Sequence, residues 1–170
     1  MALLIDGYNL LHATDIFGSG PGPDTLQSSR CALLDFLAET LDARELRDAT
    51  IVFDATGAPP GLPALQHHRG ITVHFAPRHA DADTLIEEMI EDYHAPKTLI
   101  VVSSDHRLHR AARRRKAKPI DSEVWYAELL RTQKSRSATR NAFTKPPPPS
   151  TDEEVQFWLR KFQDDGEAGS

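Results

Sequence analysis

Three short apolar runs in this chain each stop at a carboxylate: Ala2 to Ile5 before Asp6, Thr50 to Phe53 before Asp54, and Thr98 to Val102 before Ser103, Ser104 and Asp105. Brief apolar runs bounded by polar residues read as buried strands. A fourth strand is predicted over Ile71 to Phe75. A fifth lies near Pro119 to Asp121, where Pro119 suits an edge or a strand start. Helical patterns lie between them. The first covers Asp24 to about Ala43, with Leu26, Ala32, Leu33, Phe36, Leu37, Thr40 and Leu41 near a spacing of three and four. The second starts near Asp81, with Ala82, Leu85, Ile86, Met89, Ile90 and Tyr93 as its apolar stripe and acids on the rest. Two more are predicted over about His106 to Lys116 and about Ser122 to Gln133.

Strands alternating with helices imply an α/β fold: a mainly parallel sheet of about five strands, covered by helices on both faces in three layers. In such sheets the functional crevice lies beyond the carboxyl ends of the strands, where strand order reverses. With the expected order 3-2-1-4-5, Asp6 and Asp105 would flank that crevice. The acids at the strand ends are thus placed for chemistry.

Length and composition limit the alternatives. A chain of 170 residues suits one domain with its own core. The boundaries expected are a domain over 1–134, a basic and proline-rich linker over 135–150 with four consecutive prolines at 146–149, and a short amphipathic helix with an acidic tail over 151–170. Val155, Trp158, Leu159 and Phe162 form the stripe of that last helix. No run of about 18 apolar residues suggests a membrane span. The start of the chain lacks the pattern of a signal peptide, so a cytoplasmic location is expected. The single cysteine, Cys31, excludes an internal disulfide and a thiolate metal cluster and is expected in the core.

The net charge of −5 conceals an uneven distribution. Residues 1–105 carry 6 basic and 16 acidic side chains, and residues 106–149 carry 12 and 3. Asp6, Asp54, Asp81, Asp83, Glu87 and Asp105 come from separate stretches, and the topology gathers several at one sheet edge. Asp83 and Glu87 share one helix face, four residues apart. Clustered carboxylates repel, and a divalent cation relieves the repulsion. Hard oxygen ligands favour Mg2+ or Mn2+ over zinc. Such a site suits phosphodiester hydrolysis, with one ion or two. An Asp in these positions also serves as a turn former or helix N-cap, most readily at Asp81. Asp54 could bind the metal through water or simply begin a loop. Asn9 could hydrogen-bond a carboxylate, a metal-bound water or a phosphate, or only stabilise a turn. Gly7 would let the backbone turn sharply and approach a ligand.

Arg107, Arg110, Arg113 and Arg114 follow Asp105 at helical spacing and form a positive stripe suited to the phosphates of a nucleic acid. Arg78 extends the track, as could Lys134, Arg136 and Arg140. The eight histidines show no HExxH pattern and no zinc motif. Three readings of this constellation follow: a metal-dependent nuclease, a nucleic-acid-binding adaptor without turnover, and a phosphate-transferring α/β domain. The last lacks a second Asp two residues after Asp6 and a Lys after a late strand at a position suited to phosphoaspartate.

The segments LLIDGYNLLH at 3–12, IVFDA at 51–55, ADTLIEEMI at 82–90 and IVVSSD at 100–105 are similar, in order and spacing, to the YacP-like NYN domains. That resemblance covers about residues 1–134. It implies a PIN-like, Rossmann-like fold and an endoribonuclease acting on single-stranded RNA with magnesium or manganese. By motif position it implies Asp6, Asp83 and Asp105 as the catalytic and metal-binding acids, with Asn9 and Glu87 supporting. Some relatives are associated with the ribosome, so RNA and the ribosome are the partners it suggests; a homodimer is left open.

Overall fold

The computed structural model describes residues 1–16, 23–54, 63–76 and 81–144, with the backbone alone at 23, 24 and 137–144. Its elements in chain order are β1 (Ala2–Asp6), α1 (Gly7–His12), α2 (Pro23–Thr40), α3 (Ala43–Arg47), β2 (Ala49–Asp54), β3 (Leu65–His68), β4 (Ile71–Ala76), α4 (Ala82–Asp92), β5 (Leu99–Val102), α5 (His106–Arg114), β6 (Lys118–Ile120) and α6 (Ser122–Thr144). A 3-10 turn at Pro96–Thr98 leads into β5.

β1 pairs in parallel with β2 on one side and β5 on the other. The sheet has six strands in the order β3-β4-β2-β1-β5-β6. This corrects the predicted five-strand order by one added strand: β3 joins the edge antiparallel to β4, and the five expected strands keep their relative order. The sequence of β3, LQHH, carries no apolar alternation, which is why it escapes a pattern search. Its register is set instead by a two-residue turn in which Arg69 (φ 47°) and Gly70 (φ 102°) both lie in the left-handed region, as tight hairpin turns require.

Alternation along the strands builds a core on each face of the sheet. Leu3, Ile5, Ile51, Phe53, Ile71 and Val73 face Leu10, Leu33, Leu37 and Trp125 from α1, α2 and α6. Leu4, Val52, Leu99 and Val101 face Ile86, Ile90, Leu108 and Ala112 from α4 and α5. The three layers expected from the sequence are present.

Two other expectations change. Cys31 is exposed on α2, because Ser29 and Arg30 turn inward with Leu33 and Leu34 and leave it on the outer side. α6 continues to Thr144, past the expected end near Gln133, because residues 135–144 contain neither proline nor glycine and nothing stops the helix before the proline run. The expected linker therefore begins within a helix. The chain divides into two compact units, Met1–Gln133 and Lys134–Ser170, the first of which contains the whole sheet. The proline run and the predicted terminal helix lie outside the described residues. No helix among the described residues is long and apolar enough to cross a membrane.

Candidate active site

Asp6 ends β1 and caps α1, with its backbone still extended and one carboxylate oxygen accepting the Asn9 N–H at 3.1 Å. The other oxygen accepts the Ser103 hydroxyl at 3.0 Å, across the gap between β1 and β5. Asp6 is 8% exposed, and its pKa is raised above the ordinary carboxylate value, first by burial and further by the charges of Asp83 and Asp105. The two hydrogen bonds act in the opposite direction and do not cancel the rise.

Asp105 stands at the equivalent place after β5. It caps α5 by accepting the Arg107 N–H, while its own N–H donates to the Ser103 hydroxyl at 3.1 Å. Asp81 caps α4 through the Thr84 N–H at 2.8 Å, and Asp83 follows in the first turn. Asp81 is held below the ordinary value, chiefly by Thr84. Asp83 is raised, by burial first and then by Asp105 and Asp81, and it accepts no hydrogen bond among the described residues. Three helix N-termini thus converge beside the acids, where their partial positive charge favours carboxylate groups.

These residues line one cavity of about 290 Å³, formed by Asp6, Tyr8, Asn9, His12, Asp54, Asp81, Ala82, Asp83 and Asp105. Asp54 enters it from the end of β2. Glu87 does not line it. Its carboxylate accepts from Arg107 at 2.7 Å, and Arg107 also lies 3.9 Å from Asp81. Arg114 pairs with Glu91 in the same way, so two arginines of the predicted phosphate track fasten α5 to α4. Arg110 and Arg113 are exposed and have no ion pair among the described residues. Arg78 lies outside the described residues.

Asn9 ties the site together. Its side-chain oxygen accepts the Ser104 N–H and the Ser122 hydroxyl, each at 2.8 Å, joining α1 to the β5–α5 loop and the start of α6. Gly7 lets the backbone turn close against β2. A Cβ there would sit 2.4 Å from the Phe53 ring and 2.8 Å from the Val52 carbonyl, so the glycine lets the Asp6 turn lie against β2.

A family model of the YacP-like NYN domain matches residues 3–157. The chain belongs to that family. The match runs beyond residue 134 and takes in the proline run. Two crystal structures of Rae1 (YacP) from Bacillus subtilis are similar in fold. A tryptophan-to-leucine mutant gives a TM-score of 0.65 over 91% of this chain and 90% of that chain, at 20% identity. A second structure gives 0.61 over 96% and 92%, at 21% identity. No curated protein matches the chain. NYN domains are PIN-like nucleases that generally use a divalent metal, and a nuclease family implies a nucleic-acid substrate.

In this NYN domain, no three His, Cys, Asp or Glu side chains among the described residues converge closely enough to hold a metal ion. The donor chemistry still fits a hard divalent cation. Among the described residues the pocket offers five carboxylates and no thiolate, and one of them, Asp6, is buried, with its pKa raised first by that burial and then by Asp83 and Asp105. Ser103, Ser104, Ser122, Tyr8 and His12 are the site residues that sequence reasoning missed. The two serines before Asp105 were the available signal, since buried hydroxyls beside a strand-end acid need partners.

Proposed function

We propose that this protein is a metal-dependent endoribonuclease that hydrolyses internal phosphodiester bonds of single-stranded RNA. The observation that carries this reading is Asp6, buried at the central strand end, lacking any ion pair among the described residues and sharing its pocket with Asp83 and Asp105. A purely structural role gives no reason for mutually repelling acids to line one cavity, whereas a bound cation does.

Asp6, Asp83 and Asp105 would hold Mg2+ or Mn2+, with Asp54 and Asp81 acting through water. When bound, the cation would polarise a phosphoryl oxygen and lower the pKa of a water molecule. Ser103 orients the Asp6 carboxylate, and Asn9 sets the position of the loop bearing Asp105. Arg110 and Arg113 offer free guanidinium groups to backbone phosphates, with Arg78 assigned the same role from its sequence position. Arg107, Arg114 and Glu87 take part by shaping the rim. Both arginines are already paired with carboxylates of α4.

A second reading is an RNA-binding adaptor of the same fold without turnover. The two separate in one experiment: end-labelled single-stranded RNA and ribosome-bound RNA, incubated with Mg2+, Mn2+ or chelator beside Asp6→Asn and Asp105→Asn. Internal cleavage that chelator and either substitution reduce at least about 100-fold supports the nuclease. RNA that binds in a salt-dependent manner and survives every metal supports the adaptor.

A further inference from the structure

A second cavity, of about 110 Å³, lies between α2 and the β3–β4 hairpin, lined by one arginine among polar and apolar side chains. Arg30, Gln27, Gln66, His67, His68 and Phe75 contribute to it, and among the described residues no carboxylate lines it, although His68 pairs with Asp35 at 2.8 Å. Arg30 is only 4% exposed. Its guanidinium lies over the Phe75 ring, 5.5 Å from the centroid, and donates one hydrogen bond among the described residues, to the Tyr8 hydroxyl at 2.8 Å. Tyr8 in turn lines the acidic pocket.

A guanidinium has five N–H donors in a fixed fork. One phenol and one aromatic face leave most of that capacity unused, and Arg30 has no ion pair among the described residues. A buried cation in this state is complementary to an anion. The cavity, of about 110 Å³, is of a size for a small anion. Phe75 pairs with Phe53 one residue before β4 ends beside Asp54, and the Arg30–Tyr8 hydrogen bond connects the two cavities.

We propose that this cavity is a phosphate subsite in which Arg30 binds a backbone or terminal phosphate of the RNA strand whose scissile bond occupies the acidic pocket. The proposal deepens the nuclease reading and rests on it for the identity of the strand. Binding there needs no metal, because the positive charge is supplied by the chain itself. Tyr8, held by Arg30 on one side and by Phe53 at 5.3 Å on another, then forms the wall between the held phosphate and the reacting one.

Cys31 provides a direct readout: it is exposed, lines this cavity and is the only thiol in the chain. The rate of Cys31 alkylation in the full chain, with chelator present, would be measured against inorganic phosphate, a 5′-phosphorylated oligoribonucleotide and its 5′-hydroxyl counterpart. A ligand at ten times its dissociation constant should slow alkylation about tenfold. Protection by the phosphorylated strand alone assigns a terminal phosphate, and equal protection by both strands assigns a backbone phosphate. Arg30→Lys should keep the charge but lose the fork, weakening protection while the far-ultraviolet circular dichroism is unchanged. Unaltered alkylation of the wild type by all three probes overturns the subsite, whatever the fate of Arg30 variants. Because the assay involves no cleavage, protection without nuclease activity would leave the subsite standing and sink the nuclease reading alone.

Discussion

Arg107 donates to the Glu87 carboxylate at 2.7 Å, so the first arginine of the basic stripe belongs to the seam between α4 and α5. A side chain already paired within the protein releases few counterions when RNA arrives, whereas a free one contributes fully. Arg110→Ala and Arg113→Ala should therefore each reduce the slope of log K against log salt by about 0.7 for single-stranded RNA. Arg107→Ala should change the slope less and lower the urea midpoint, since it frees Glu87 and Asp81 to repel one another. Binding isotherms at four salt concentrations test this. Equal slopes for Arg107→Ala and Arg110→Ala would show that Arg107 exchanges its partner for phosphate.

Asp83→Asn should stabilise the metal-free protein. The folded pKa of Asp83 is raised above the ordinary carboxylate value, chiefly by burial and then by Asp105 and Asp81. The native state therefore holds this proton more tightly than the unfolded chain, and stability is lost as pH rises from the unfolded pKa through the folded pKa. The advantage of the variant is absent at lower pH, grows through that window and levels off above it. Unfolding in urea from pH 3.5 to 7 with chelator measures the difference. Mn2+ should raise the melting temperature of the wild type and leave the variant less affected, because the metal binds only the folded carboxylate set. A variant no more stable than wild type at pH 7 would mean that Asp83 carries little repulsion.

The strands were legible because burial on both faces leaves little besides Ile, Val, Leu and Phe in β1, β2 and β5, and because each run ends abruptly in an acid. The gathering of Asp6, Asp54, Asp83 and Asp105 in one pocket follows from that topology. Hidden from the sequence were elements whose stability comes from tertiary pairing. β3 exists because β4 offers it an edge, and α1 is a single six-residue segment too short for a periodic signal. The pairing of Arg107 and Arg114 with α4 was equally hidden, since a run of arginines looks the same whether its partners are carboxylates or phosphates. Arg30 gave no sign at all. A lone Arg in an apolar stripe reads as a solvated residue, and only the positions of Tyr8 and Phe75 reveal that it is buried.

Gly7 is fixed by contact with β2. A Cβ placed 2.4 Å from Phe53 and 2.8 Å from the Val52 carbonyl must displace an aromatic ring or part of a central strand. Gly7→Ala should cost about 1–3 kcal/mol, in the range for overpacking a dense core, and should impair cleavage by moving Asp6 and Tyr8 together. Chemical denaturation gives the first effect and single-turnover cleavage at saturating metal the second. Wild-type stability in the variant would show that Phe53 can rotate away without cost.

Asn9 separates a positioning role from a direct one. Its side-chain oxygen receives both the Ser104 N–H and the Ser122 hydroxyl, so Asn9→Ala leaves two donors without their partner and should cost about 1–3 kcal/mol. Asn9→Asp keeps an acceptor in the same place, and a carboxylate accepts such bonds at least as strongly. It should therefore recover much of the stability while adding one more negative charge to the acidic pocket. Urea unfolding of both variants, paired with metal titration of RNA cleavage, distinguishes the roles. If the alanine variant is unstable and the aspartate variant is stable and cleaves RNA, Asn9 acts by holding the β5–α5 loop beside Asp6. If both variants are as stable as wild type yet neither cleaves, the clamp is dispensable and the amide group itself must act on the substrate.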